Sequence, residues 1–354
     1  MNEASKTVAK GRYTVPLILV GSLFLLWGLA NNMTDTLLAA FKRIMSMSDT
    51  QTSLIQLAFY GAYFCFALPA AVFISRYSYK SGIILGLSLY AAGAILFYPA
   101  AQTASYGFYL FAIYVLAGGC SILETTANPY VLSMGAPETA TRRLNIVQAF
   151  NPIGSIAGIL LSRYFILSEL SSASAEERAL MSPERLEALQ AKELGAVTGT
   201  YMTLGFVLVA IMVAMLCVKM PKGGDAQRLG GLGASFRRLG ANRGYRRGVV
   251  AQFFYVGAQI GVWSFTIRLV MSELGVLEKD ASTIYLVSIV AFCVMRFLFT
   301  WLMRYFRPVR LLAVAAVMAA VCALGVMLGS GWTAVVAVVL VSAFMSLMFP
   351  TIYG

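Results

Sequence analysis

Residues 105–134 read SYGFYLFAIYVLAGGCSILETTANPYVLSM. No Lys or Arg interrupts the run, and its one acidic residue is Glu124. A helix of about 20 apolar residues crosses the hydrocarbon core of a bilayer, and this run is long enough to do so. Its chemistry sits in the second half. Glu124 and Asn128 are four residues apart, hence on one helix face. Pro129 follows and removes an N–H from the ladder. A charge in hydrocarbon costs at least ~2.5–3.5 kcal/mol on insertion scales, so such a residue faces a cavity or a partner as a rule.

The rest of the chain repeats the pattern. Its 354 residues are 59% hydrophobic and 12% charged, where soluble domains carry roughly a quarter charged residues. Comparable apolar runs occupy residues 13–40, 52–75, 82–101, 145–167, 197–220, 247–272, 282–303, 309–329 and 332–354. With 105–134 they predict an all-α membrane protein of about ten transmembrane helices. The run after the short polar N-terminus is too long for a signal-peptide core and has no small-residue cleavage site, so it is expected to remain as a first spanning helix. Pro350-Thr351-Ile352-Tyr353-Gly354 falls inside an apolar stretch, which suggests a fragment of a longer protein.

The net charge of +12 would point a soluble protein toward nucleic acid. Here the cations sit in short links: Arg76 and Lys80, then Arg142 and Arg143, then 219–247, then Arg304, Arg307 and Arg310. These links and the N-terminus outweigh Lys42, Arg43 and Lys279 on the other side, so they are expected to face the cytoplasm. Segment 219–247 is basic and Gly-rich. It divides the chain into an N-terminal six-helix bundle at 1–220, a cytoplasmic linker at 221–246 and an incomplete C-terminal bundle at 247–354. The outer loop 168–196 contains Ser182-Pro183-Glu184, a helix start by capping, proline placement and charge; short surface helices are expected there. A faint repeat supports two halves: Ser121 precedes Pro129 by the same spacing as Ser342 precedes Pro350, six helices later.

Two acids lie in spanning runs, Asp35 and Glu124. Lipid disfavours the ionised form of a carboxylate, so acids at that depth are natural proton carriers, and the chain has no histidine to share the task. A structural Glu124 and an interfacial, solvated Asp35 are the plainer alternatives. Amides gather in the same helices: Asn31 and Asn32, Asn128, Gln148 and Asn151, Gln252 and Gln259. Amides and carboxylates suit sugar hydroxyls because each can donate or accept, and Trp27, Tyr60, Tyr63, Tyr130, Tyr255 and Trp263 are candidates to stack on a pyranose. Membrane helices also use Asn and Gln to hold one another. Arg296 lies mid-helix and is expected to have a counter-ion or a water-filled cavity. The five cysteines sit in apolar runs without metal-ligand spacing. A membrane-embedded enzyme would need a nucleophile–base pair or metal ligands at depth, and the residues supply neither.

Several segments resemble the L-fucose:proton symporters of the fucose–galactose–glucose:proton symporter family, within the major facilitator superfamily. They are Asn31-Asn32-Met33-Thr34-Asp35, Ser78-Tyr79-Lys80-Ser81-Gly82, Leu123-Glu124-Thr125-Thr126-Ala127-Asn128-Pro129, Gln148-Ala149-Phe150-Asn151, Met181-Ser182-Pro183-Glu184 and Tyr255-Val256-Gly257-Ala258-Gln259. Ser75-Arg76 departs from the general superfamily pattern, which has Asp there, and Met295 replaces the family's Gly. The resemblance implies a major facilitator fold of two six-helix halves with the C-terminal half truncated. It implies proton coupling at Asp35 and Glu124. It also implies sugar contacts from Asn31, Asn32, Glu124, Gln148 and Asn151, to which the residue pattern adds Asn128, Gln259, Trp27 and Trp263. The expected partners are a monosaccharide (L-fucose or a relative), the proton and the bilayer, with no nucleic acid, cofactor or metal. The expected form is a monomer in a bacterial inner membrane, multi-pass, with its N-terminus in the cytoplasm. The alternatives are a permease for glucose, galactose or N-acetylglucosamine, and a truncated sugar-binding protein that does not transport.

Overall fold

The computed structural model describes residues 3–45, 47–103, 105–171, 173, 177–178, 180–219 and 232–354. Side chains are described for these except 3–14, 35–40, 42–43, 49, 52, 163, 232 and 278–279. Ten helical stretches among the described residues are long and apolar enough to cross a membrane.

The helices are α1 (Glu3–Ile44), α2 (Asp49–Arg76), α3 (Tyr79–Ile95), α4 (Phe97–Thr103), α5 (Tyr106–Ser133), α6 (Ala140–Gln148), α7 (Phe150–Leu161), α8 (Pro183–Cys217), α9 (Leu232–Ala241), α10 (Arg243–Leu274), α11 (Glu278–Leu302), α12 (Pro308–Leu328), α13 (Trp332–Met345) and α14 (Met348–Tyr353). Polar residues at the ends of the apolar runs start them. Ser48 accepts from the Gln51 N–H while the Gln51 side chain reaches back to the Ser48 N–H, a reciprocal cap. Ser78 accepts from Ser81 N–H, and Asn242 from Gly244 and Tyr245. Gly275, at φ 64°, ends α10 in the left-handed region.

Ser182 caps α8 and Pro183 opens it, as the sequence predicts. The expected short surface helix is instead the first turns of the sixth span: α8 runs unbroken from Pro183 to Cys217. The Ala-, Leu-, Glu- and Lys-rich stretch between holds strong helix formers and no proline. The fifth and tenth spans are interrupted. A turn at Ala149 separates α6 from α7, and Ser346 and Leu347 separate α13 from α14. Each interruption lies just before a proline, Pro152 and Pro350, which cannot complete the helical ladder.

Contacts divide the chain into two compact units, Met1–Tyr130 with Ala157–Arg228, and Val131–Ile156 with Leu229–Gly354. These do not coincide with the sequence boundaries at 220 and 246; residues 221–231 of the linker lie outside the described residues, and α9 falls in the rest of it. In the first unit α3 packs against α5 and α8. A Cβ on Gly119 would lie 2.3 Å from the Tyr90 backbone nitrogen, and one on Gly93 2.4 Å from that of Leu116, so only glycine permits this approach. Phe97 stacks on Tyr201 at 4.1 Å. Lys80 donates to the Leu216 and Val218 carbonyls, both at 2.9 Å, satisfying acceptors that the end of α8 leaves free. In the second unit Tyr255, Phe299, Met303, Leu311, Ala315 and Val341 form the main buried cluster.

Candidate functional site

In the first unit α1 and α5 bring Trp27 and Glu124 to one crevice, which Leu23, Phe24, Leu123 and Ala127 complete. Its volume is about 10 Å³, roughly what one water molecule needs. The Trp27 indole N–H donates to the Tyr63 hydroxyl at 2.7 Å, which fixes the ring over the crevice. Tyr63 and Cys120 are the electrostatic neighbours of Glu124. Among the described residues no hydrogen bond or ion pair reaches the Glu124 carboxylate. A half-buried acid in an apolar crevice, left without a fixed partner, can exchange a proton without first breaking a salt bridge.

The amides expected beside it divide by role. Asn128 is buried, one turn beyond Glu124, and has a partner. Asn32 donates to the Gly28 carbonyl at 3.1 Å. Asn31 presents a buried Oδ1 with no hydrogen-bond partner among the described residues, an acceptor for an incoming hydroxyl. The Asp35 side chain lies outside the described residues.

The second unit holds the remaining candidates. Gln148 is buried and Asn151 half-buried, and both have partners. Gln259 is half-buried on α10. Gln252 stands out on the same helix: both of its amide atoms are buried without a hydrogen-bond partner among the described residues. Trp263 donates its indole N–H to Ser342 Oγ at 3.0 Å and meets Phe292 edge to face at 5.2 Å, so only a ring face remains for a ligand. Tyr130 and Tyr255 are not stacking platforms, contrary to expectation. Tyr130 is 1% exposed against Tyr79, and the Tyr255 hydroxyl donates to the Met345 carbonyl.

Arg296 departs furthest from expectation. It is 4% exposed, yet among the described residues it meets no carboxylate. Its Nε donates to the Ser346 carbonyl at 2.6 Å and its Nη1 to the Gln148 carbonyl at 3.0 Å. Both acceptors are four residues before a proline, Pro350 and Pro152. The missing proline N–H groups leave these two carbonyls free, and one guanidinium takes both. Phe292 lies beneath it, 4.7 Å from Cζ to ring centroid. The prolines are visible in the sequence, but the arginine that answers them is not.

The chain matches the family described as the Major Facilitator Superfamily over residues 19–354. It belongs to that superfamily. This major facilitator protein is 41% identical to an L-fucose-proton symporter of Haemophilus influenzae, over 98% of its own length and 82% of the relative's. It is 33% identical to a glucose/galactose transporter of Brucella abortus, over 99% of its length and 82% of the relative's. Its fold superposes on the crystal structure of the major facilitator transporter FucP in the outward conformation with TM-score 0.90 and 37% identity, covering 96% of this chain and 84% of that one. The compared proteins are transporters, not enzymes.

Proposed function

We propose that this chain carries a monosaccharide together with a proton across a bacterial cytoplasmic membrane by alternating access, and that L-fucose is the sugar. One observation carries the reading: Glu124, deep in a spanning helix, faces a water-sized crevice under Trp27 and has no hydrogen-bond or ion-pair partner among the described residues. Glu124 takes and releases the proton. Asp35, on α1, serves as the second acid. Asn31, Asn32 and Asn128 are the candidates for sugar contact within the first unit, and Gln148, Asn151, Gln259 and Trp263 are those within the second, each unit taken by itself. The identity with L-fucose-proton symporters supports both sugar and coupling ion. The N-terminus and the basic links face the cytoplasm, in keeping with their excess of Lys and Arg.

Uptake of labelled L-fucose into vesicles tests this directly. Accumulation should require an inward proton gradient and collapse with a protonophore. Binding without gradient-driven accumulation would leave a sugar-binding protein and refute symport. The identity with a glucose/galactose transporter favours a second sugar assignment. Competition by unlabelled glucose or galactose stronger than by unlabelled L-fucose would replace fucose with it.

A further inference from the structure

The first unit also holds a void away from Glu124. A groove of about 620 Å³ runs between α1, the segment after α7 and α8, within the roughly 300–1,000 Å³ of small-molecule sites. Leu26, Leu29, Leu161, Phe165, Leu204 and Val207 wall it. Thr200 and Thr203 also line it, but their hydroxyls already donate to the Ala196 and Gly199 carbonyls, so the hydroxyls of a sugar would find few partners against these walls. Its floor includes Gly195 and Gly199, four residues apart on α8. A Cβ on either would meet nothing within 4 Å, so their bareness serves no contact within the protein, unlike that of Gly93 and Gly119. Each instead leaves room in the groove, despite the ~1 kcal/mol that helical glycine costs relative to alanine.

The mouth is charged. Lys192 Nζ and Glu169 Oε2 stand 3.5 Å apart, with side chains 68% and 51% exposed. Such a pair contributes only about 0–1 kcal/mol, so it can open to receive matching charges. Glu169 ends the fifth span and Lys192 precedes the most apolar part of α8, which sets both at headgroup depth. A buried pair steadies this rim. Arg178 donates to Glu193 Oε1 at 2.6 Å and Oε2 at 2.9 Å, and Glu193 also accepts from the Ser171 N–H. These bonds push the Arg178 pKa further up, so the arginine stays charged throughout the physiological range.

We propose that this groove binds a phospholipid with a primary-amine headgroup, phosphatidylethanolamine, one acyl chain lying along the apolar walls, its ammonium on Glu169 and its phosphate on Lys192. The headgroup carries both signs at the spacing of a short linker, as the mouth does. A phosphatidylglycerol headgroup offers Lys192 a phosphate but Glu169 no cation. A phosphatidylcholine headgroup offers Glu169 a quaternary ammonium without N–H donors.

Native mass spectrometry of the purified, delipidated full chain, titrated with dioleoyl phosphatidylethanolamine, phosphatidylcholine and phosphatidylglycerol, tests the assignment. The amine-headed lipid should bind about tenfold more tightly than either other, equivalent to about 1.4 kcal/mol. Gly199→Leu, which fills the floor, should abolish that binding. Glu169→Gln, an exposed change that leaves the fold alone, should erase the preference over phosphatidylcholine. Equal binding of all three lipids by the unaltered protein would overturn the proposal, as would a preference that survives Glu169→Gln. None of these readings depends on which sugar is carried.

Discussion

The acid of the first unit and the base of the second face the same difficulty, an ionisable group set in a low-dielectric interior, and meet it differently. Arg296 is tied to two backbone carbonyls and a ring. Both carbonyls lack their usual donor because a proline stands four residues on, so the arginine and the breaks complete one another. Glu124 has no such tether among the described residues, only a crevice and a tryptophan held by Tyr63. A charge whose donors or acceptors are fixed dipoles is part of the scaffold. A charge left loose beside a void is free to change state. Polarity at membrane depth therefore does not by itself mark function; the number of fixed partners decides.

This contrast can be broken at either end. Glu124→Ala should cause the largest change, loss of both sugar binding and gradient-driven uptake with the protein still folded; wild-type affinity in a binding titration would remove the functional half. Arg296→Met should act on stability. It leaves two buried carbonyls unpaired at ~1–3 kcal/mol each, so the thermal midpoint in detergent should fall sharply; an unchanged midpoint, with transport alone lost, would mean that Arg296 belongs to the transport chemistry instead.

Pro152→Ala sharpens the comparison. It restores an N–H for the Gln148 carbonyl, so in the Arg296→Met background it should return about 1 kcal/mol, read as a positive coupling in a double-mutant cycle. Additive effects would show that the proline and the arginine are independent. The smallest effect is expected from Trp27→Phe, which removes the bond to Tyr63. It should cost about 0.5–1.5 kcal/mol of stability while raising the apparent KM for sugar through a looser ring. A stability loss with no change in KM would place Trp27 in the scaffold.

The amino-acid sequence alone determined the features that are local along the chain. Ten apolar runs become ten helices long and apolar enough to span among the described residues, because backbone groups in lipid must bond within their own helix, and this depends on length and hydropathy only. The cap at Ser182 and the depth of Glu124 are local in the same sense, whereas the breaks before Pro152 and Pro350 are not, because Pro69 and Pro129 stand inside the unbroken helices α2 and α5. Tertiary structure decided everything that joins residues far apart. The Trp27–Tyr63 bond spans 36 positions, and the bonds from Arg296 to Ser346 and Gln148 span 50 and 148. An aromatic in a spanning helix has the same sequence signature facing a cavity or facing a neighbour, so the pattern alone does not separate Tyr130 and Tyr255, which pack on neighbours, from stacking platforms. The extension of α8 back to Pro183 does not show in the hydropathy because its first turns are charged, and charge there reports the water around the helix, not the absence of one. The groove with Glu169 and Lys192 at its mouth has no sequence signature, since a void is made by what three separate segments leave unfilled. Helical pattern is fixed by neighbours a turn away, whereas cavities and partners follow from how finished helices pack, and a linear chain carries no direct record of that.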